Sequence, residues 1–217
     1  MRLLLCAATE LEIEATLTFL NNHPEYKAKI DILITGVGLT AATYHLTKKV
    51  LSHRPRFILQ AGICGSIDTY LSPGDVVVVE KESIGDLGVM EKGNFKSVFN
   101  LGFTQLNEEP WNNGKLYNNI SVLQKTGLTI ADGVTINEIT TSPDRIRFYR
   151  EHLKVNIETM EGAALHYVAL CEKIPFLQLR SVSNYVGERD KNKWAIRDAI
   201  ANLNIELQRM LIKLFDL

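Results

Sequence analysis

A chain of 217 residues with 46% hydrophobic and 23% charged side chains can bury a sizeable core, and one α/β domain over residues 1–217 is the expectation. Its 24 basic and 25 acidic residues leave a formal net charge of -1, which excludes a general attraction to nucleic acid. No apolar run is long enough to span a bilayer, so no membrane partner is expected. Cys6, Cys64 and Cys171 are widely spaced in apolar surroundings and fit buried free thiols in a reducing cytoplasm, not a disulfide framework or a metal site.

In chain order, Leu3 to Ala7 reads as a central strand. Met1 to Ala8 has the outline of a short signal peptide, but Glu10, Glu12 and Glu14 follow at once, which favours the strand. Thr9 is an N-cap candidate for a helix with Ile13, Leu17 and Leu20 at helical spacing. Glutamates two apart on that helix point to different sides, so at most one or two of the three reach the crevice above the strand end. Ile30 to Ile34 is a second strand, followed by Thr35-Gly36-Val37-Gly38 and a helix from about Thr40 to Leu51. Gly36, Gly38 and Ala41 loosely match a dinucleotide fingerprint, but Phe57 to Gln60, the next strand, ends without the acid that a nicotinamide site needs. A glycine-bearing turn from Gln60 to Ser66 follows, and then the turn Pro73-Gly74-Asp75 leads into a strand at Val76 to Val79.

Between Gly85 and Tyr117 no period holds. The aromatics Phe95, Phe99, Phe103 and Trp111 fit a pocket wall or subunit contact, or packing under their own loop. Leu128 to Ala131 resumes as a strand, and Ser142-Pro143-Asp144 opens a helix. Val155 to Ile157 then hands over to the helical pattern Leu165 to Leu170 through Glu158-Thr159-Met160-Glu161-Gly162. Phe176 to Val182 runs as a strand into the polar elbow Ser183 to Asp190, and Trp194 to Leu217 is an amphipathic helix that covers the sheet.

No Gly-x-Ser-x-Gly elbow, Walker loop, His-Glu-x-x-His or Cys-x-x-Cys is present, so serine hydrolase, nucleoside triphosphatase and metal chemistry lose ground. His45, His53, His152 and His166 fit surface or hydrogen-bonded core positions. Ligands of open α/β sheets bind outside the carboxyl ends of strands, which makes Glu158, Glu161 and Asn184 site candidates. The competing account is that the glutamates complement a helix dipole, at roughly 0.3 to 1 kcal/mol, and that Asn184 caps a turn to Gly187. Carboxylates, an asparagine and glycine-lined strand ends suit sugar hydroxyls and a polar heterocycle, with no cofactor or metal required.

Taken together, Thr9-Glu10-Leu11-Glu12, Thr35-Gly36-Val37-Gly38, Ala61-Gly62-Ile63-Cys64-Gly65, Met160-Glu161 and Arg180-Ser181-Val182-Ser183-Asn184 resemble the purine nucleoside phosphorylase and nucleosidase superfamily. The resemblance runs from the first strand to the last helix. It implies a three-layer α/β fold with a mixed central sheet and a homodimer acting on a small purine nucleoside. It further implies Glu12 as the acid that activates water, Asn184 as the residue that recognises the base, and a substrate site lined by Gly36, Gly62, Ile136, Met160 and Glu161. Adenine-specific members carry Asp where this chain has Asn184, and Ile63 stands where they have Ser. Asn184 resembles the members that use 6-oxopurines, and the run Ser183-Asn184-Tyr185-Val186-Gly187-Glu188-Arg189-Asp190, with Gly85-Asp86-Leu87-Gly88 and Ala131-Asp132-Gly133-Val134-Thr135, is most similar to the futalosine hydrolases, which implies release of hypoxanthine. The physical reading agrees on water: a carboxylate polarises it, whereas it repels phosphate.

Overall fold

The computed structural model describes residues 2–215. Strand β3 (Phe57–Ser66) is the hub of its sheet. On one edge its first half pairs in parallel with β1 (Leu3–Ala7), which carries β2 (Ile30–Ile34) outside it. Its last two residues pair on that edge with a different strand, the antiparallel β9 (Ile157–Thr159). The other edge is covered along its length by β10 (Phe176–Tyr185), again in parallel. From β10 the ladder runs through β4 (Val76–Ile84) and β8 (Thr129–Thr135) to β9 and so back to β3, closing a five-stranded ring. The sheet is therefore mixed, and its β1 and β2 wing splays from the ring where β3 exchanges β1 for β9.

Strand β1 is buried on both faces, which is why its sequence is a continuous apolar run with no alternation. Leu3 and Leu5 pack with Ile13 and Leu20 of α1 (Glu10–Asn22) and with Leu203, Leu207 and Leu211 of α7 (Ile196–Phe215). On the opposite face Leu4 and Cys6 meet Ala42 and Leu46 of α3 (Leu39–His53), and Leu165 and Val168 of α6 (Gly162–Cys171). Each fully buried Leu contributes about 1.5–3 kcal/mol, so these layers fix both helix pairs against the sheet.

Several boundaries differ from the sequence reading. The turn expected from Gln60 to Ser66 is strand: β3 stays extended because Gly62 and Gly65 admit Arg180 and Val186, whose side chains a Cβ would strike. Strands β4 and β8 also run past Val79 and Ala131. The excursion contains a hairpin of β5 (Gly88–Glu91) and β6 (Asn94–Ser97), and three of its aromatics, Phe95, Phe99 and Trp111, pack against other rings. Phe99 meets Trp111 edge-on at 5.2 Å, Trp111 lies against Tyr167 of α6, and Phe95 meets Phe148 of α5 (Pro143–Phe148) at 5.6 Å. Phe103 stays exposed. Cys6 and Cys64 are buried free thiols as expected, but Cys171 is exposed, because it ends α6 on the solvent side. The final helix spans Ile196–Phe215, and the last two residues assigned to it from sequence lie outside the described residues. No helix among them is long and apolar enough to cross a membrane.

Candidate active site

Where β1 leaves β3 at Gln60 and before β9 arrives at Gly65, one edge of β3 has no strand partner. The N–H of Ile63 lies in that gap and would be orphaned if nothing accepted from it. Glu12 Oε1 accepts it at 3.1 Å. The other oxygen, Oε2, accepts from the Thr9 N–H at 2.9 Å and the Thr9 hydroxyl at 3.1 Å. Thr9 caps α1 and Glu12 is its third residue, so the pair is the capping box that starts the helix. Local helix chemistry and a break in the sheet thus aim one carboxylate into the crevice. Glu10 and Glu14 are exposed, as the two-residue spacing required.

The second carboxylate arrives from β9. Glu161 is the residue before α6 and is 5% exposed. Its Oε1 accepts from the Gly38 N–H at 3.0 Å, and its Oε2 lies 3.5 Å from Arg180 Nη1. Gly38 holds φ +93°, a backbone conformation that a side chain would strain, and this turns its N–H toward Glu161. Arg180 is 1% exposed, and it also donates to Gln60 Oε1 at 3.0 Å and to the Ile63 carbonyl at 3.4 Å. Its position requires Gly62, because a Cβ there would run into Nη1.

Between the two acids opens a cavity of about 390 Å³, lined among others by Glu12, Ile63, Ile136, Met160, Glu161 and Asn184. Asn184 follows a register shift in the pairing of β10 with β3. It donates to the Tyr185 carbonyl at 2.9 Å and accepts from the Ser183 hydroxyl at 2.8 Å. One amide hydrogen and one carbonyl lone pair remain for a ligand. Glu158 also lines the cavity: the Thr140 N–H donates to its Oε1 at 3.2 Å, its Oε2 has no partner, and burial pushes its carboxyl up. Arg189 stacks over Trp194 at the rim. A larger groove of about 940 Å³, walled by Phe95, Arg145 and Phe148, adjoins at Ile139 and Thr140 but contains neither Glu12 nor Glu161.

Five of the seven residues expected at the site, Glu12, Ile136, Met160, Glu161 and Asn184, therefore line one cavity. Gly36 and Gly62 do not touch it. Gly36 makes the turn with φ +77° and bonds back to Ala8, while Gly62 makes room for Arg180. Arg180 was visible in the sequence only as part of a motif, since nothing local shows that β10 brings it beneath the first strand end. Glu82 was missed altogether. It is completely buried in β4, where Thr135 Oγ1 donates to its Oε2 at 3.0 Å and Gln178 Nε2 to its Oε1 at 2.9 Å. Burial pushes its carboxyl up to about 7, against the hydrogen bonds and the nearby Arg180. The inward alternation that would have revealed it is interrupted by a register shift between Val79 and Lys81. Burial also pushes the Cys6 and Cys64 thiols up to about 12, which makes both poor nucleophiles. No cluster of His, Cys, Asp and Glu among the described residues could hold a metal ion.

Known proteins resemble this chain in sequence and in fold. The family model described as Phosphorylase superfamily matches residues 23–215. The futalosine hydrolase of Streptomyces coelicolor is 32% identical over 179 residues, covering 80% of this chain and 74% of the relative. The 5′-methylthioadenosine/S-adenosylhomocysteine nucleosidase of Listeria innocua is 26% identical over 175 residues, covering 74% and 70%. Among solved structures, an MTAN mutant of Helicobacter pylori with 5′-methylthioadenosine in its active site superposes with a TM-score of 0.81 over 98% of both chains at 16% identity, which speaks for the fold alone. A family match over nearly the whole chain, a relative at 32% identity and the same mixed α/β architecture lead to one conclusion: the chain belongs to the phosphorylase superfamily.

Proposed function

We propose that the protein is a purine nucleoside N-glycosidase that hydrolyses 6-oxopurine nucleosides, with futalosine as the favoured substrate and hypoxanthine as the released base. The observation that carries the hydrolytic reading is the Glu12 carboxylate, held by three donors at the cavity wall. Breaking an N-ribosidic bond builds positive charge on the sugar, and water must lose a proton as it adds. Glu12 can take that proton and stabilise the charge. Phosphate would meet the same carboxylate as a repulsive neighbour, and Arg180, the cation that could attract it, is already engaged by Glu161 and Gln60. Glu161 is suited to accept from the ribose hydroxyls. Asn184 keeps one donor and one acceptor for O6 and the N7 proton of hypoxanthine.

The futalosine reading is supported by the 32% identity to the Streptomyces enzyme and by Asn184 itself. An adenine nucleosidase is the second reading. It is favoured by the resemblance to the Listeria enzyme and by the bond from Asn184 to its neighbour's carbonyl, which is the geometry of a turn residue. Incubation with futalosine, inosine and 5′-methylthioadenosine, with and without phosphate, tests these readings. Hypoxanthine released from futalosine at a phosphate-independent rate is expected. Adenine release from methylthioadenosine in excess of this would transfer the assignment to the second reading, and a strict phosphate requirement would overturn hydrolysis.

A further inference from the structure

Behind the cavity, four buried polar side chains form a chain whose hydrogen bonds do not close while Glu82 is ionised. The Gln178 amide nitrogen donates to Glu82, which leaves Gln178 Oε1 and His166 Nε2 buried without partners. His166 Nδ1 lies 3.0 Å from the Leu116 carbonyl, so Nδ1 carries the hydrogen and Nε2 is a bare acceptor. Its ring is within hydrogen-bonding reach of the Gln178 side chain. Both partnerless atoms are therefore acceptors that lack a donor. The ends of an amide are exchanged by a half-turn, and with Gln178 turned its NH₂ meets His166 Nε2. Its carbonyl then faces the Glu82 carboxyl, acceptor to acceptor, unless Glu82 carries a proton. One proton on Glu82 satisfies every member.

The far end of the chain reaches the site. The Thr135 hydroxyl, which donates to Glu82, accepts from the Ala163 N–H at 2.7 Å and lies 3.2 Å from the Thr159 hydroxyl, itself the acceptor for the Gly162 N–H. These two N–H groups open α6, directly after Glu161. Gly162 and Gly133 press on Glu82 so closely that a Cβ on either would collide with its carboxylate.

We propose that Glu82 is a positioning residue held as a neutral carboxylic acid, whose proton completes a buried chain of His166, Gln178, Glu82 and Thr135 that sets the start of α6 and with it Glu161. The inference rests on Glu161 binding the ribosyl group. Among the described residues, the charged and titratable groups around Glu82 are Arg180 from β10, Glu161 just before α6, His166 from α6 and Cys64 from β3, while β8 presents Thr135 and Gly133. Burial, which pushes Glu82 up to about 7 and His166 down to about 4, favours the neutral form of both. Once ionised, Glu82 competes with Glu161 for Arg180, and the grip on the ribosyl group loosens.

The test compares wild type with Glu82→Gln, whose amide reproduces the donor and acceptor of the protonated acid, and with Glu82→Leu, which has neither. With futalosine as the probe, wild-type KM should rise about 10-fold as pH passes about 7, with little change in kcat. Glu82→Gln should show a flat KM near the acid-side value, and Glu82→Leu a raised KM throughout. A Glu82→Gln profile that keeps the wild-type rise, or a KM far above wild type on the acid side, overturns the proposal. Infrared spectroscopy of the wild-type protein provides a readout that needs neither substrate nor a folded variant. A buried protonated carboxyl band should be present at about pH 6 and fade through about pH 7. Its absence at about pH 6 overturns the proposal, whichever nucleoside the enzyme prefers.

Discussion

The backbone N–H of Ile63 donates to Glu12 Oε1 at 3.1 Å, at the one place where β3 has lost β1 and not yet gained β9. The acid proposed to activate water is thus fixed by a sheet edge as well as by its own helix cap. Glu12→Gln should keep the fold and nucleoside binding, since its amide oxygen still accepts from Ile63 while its NH₂ gives up the bond from the Thr9 N–H at a cost of about 1 kcal/mol, but it cannot take a proton from water. Turnover should fall by about 10² to 10⁴, measured as kcat beside calorimetric binding of hypoxanthine. Near-normal turnover would move the role to another acid. Glu10 is exposed and does not line the cavity, so Glu158 would be the next to vary.

Glu161→Gln acts differently because its carboxylate is half of a buried ion pair with Arg180. The loss leaves a guanidinium that is 1% exposed without its counter-charge, a change that typically costs about 3–5 kcal/mol. Denaturant titration should show this loss together with a raised KM. An increase in KM with unchanged stability would mean that Gln60 and the Ile63 carbonyl suffice to hold Arg180.

Asn184→Asp should invert the preference for the base. An aspartate accepts from the adenine amino group and repels O6, so the hypoxanthine to adenine release ratio should fall by at least about 10-fold, and a site built on a buried polar match can discriminate by roughly 10⁴ to 10⁵. If Asn184 serves only its bonds to Tyr185 and Ser183, the substitution will change the melting temperature and leave that ratio untouched.

Stability should depend on pH through Glu82. Its folded carboxyl titrates at about 7, above its ordinary value of 4.5, so the native state holds a proton that the unfolded chain releases. The resulting stabilisation is complete below about pH 4.5 and is lost as pH rises through about 7, by an amount on the order of 3 kcal/mol. Glu82→Gln carries no such proton. Its stability relative to wild type should therefore improve between about pH 5 and about pH 8, as followed by urea unfolding at each pH. A constant difference across that range would show that Glu82 is already ionised at the acid end.

The elements that carry the fold were legible wherever one physical signal dominated. Leu3 to Ala7 came out to the residue because an unbroken apolar run allows little else, and Ile30 to Ile34 because β-branched isoleucines at every second position, followed by Thr35-Gly36, read as a strand that ends there. The glycines misled. Gly62 and Gly65 read as a turn, yet they lie in a strand, because what demands them is a side chain on a strand far along the chain. The site followed the same division. Glu12 was readable through the family motif that begins at the N-cap candidate Thr9, and Glu161 through its place at a strand-to-helix junction. Arg180 and Glu82 were not, because their roles come from cross-strand neighbours that no local pattern encodes.

Asn204 of α7 donates its amide to the carbonyl of Glu12 at 2.9 Å, and its own carbonyl accepts from the N–H and hydroxyl of Thr16. The helix turn that carries the proposed base is therefore clamped by a residue 192 positions away. Contacts between such distant segments form late, after the cost of closing the intervening chain has been met. During synthesis, a growing chain that has already made Glu12 must wait for Asn204 before that acid is locked in place. The proposed nucleoside cleavage is then a property that requires a chain made past Asn204, and shorter fragments that keep the first strand and helix would be free of it.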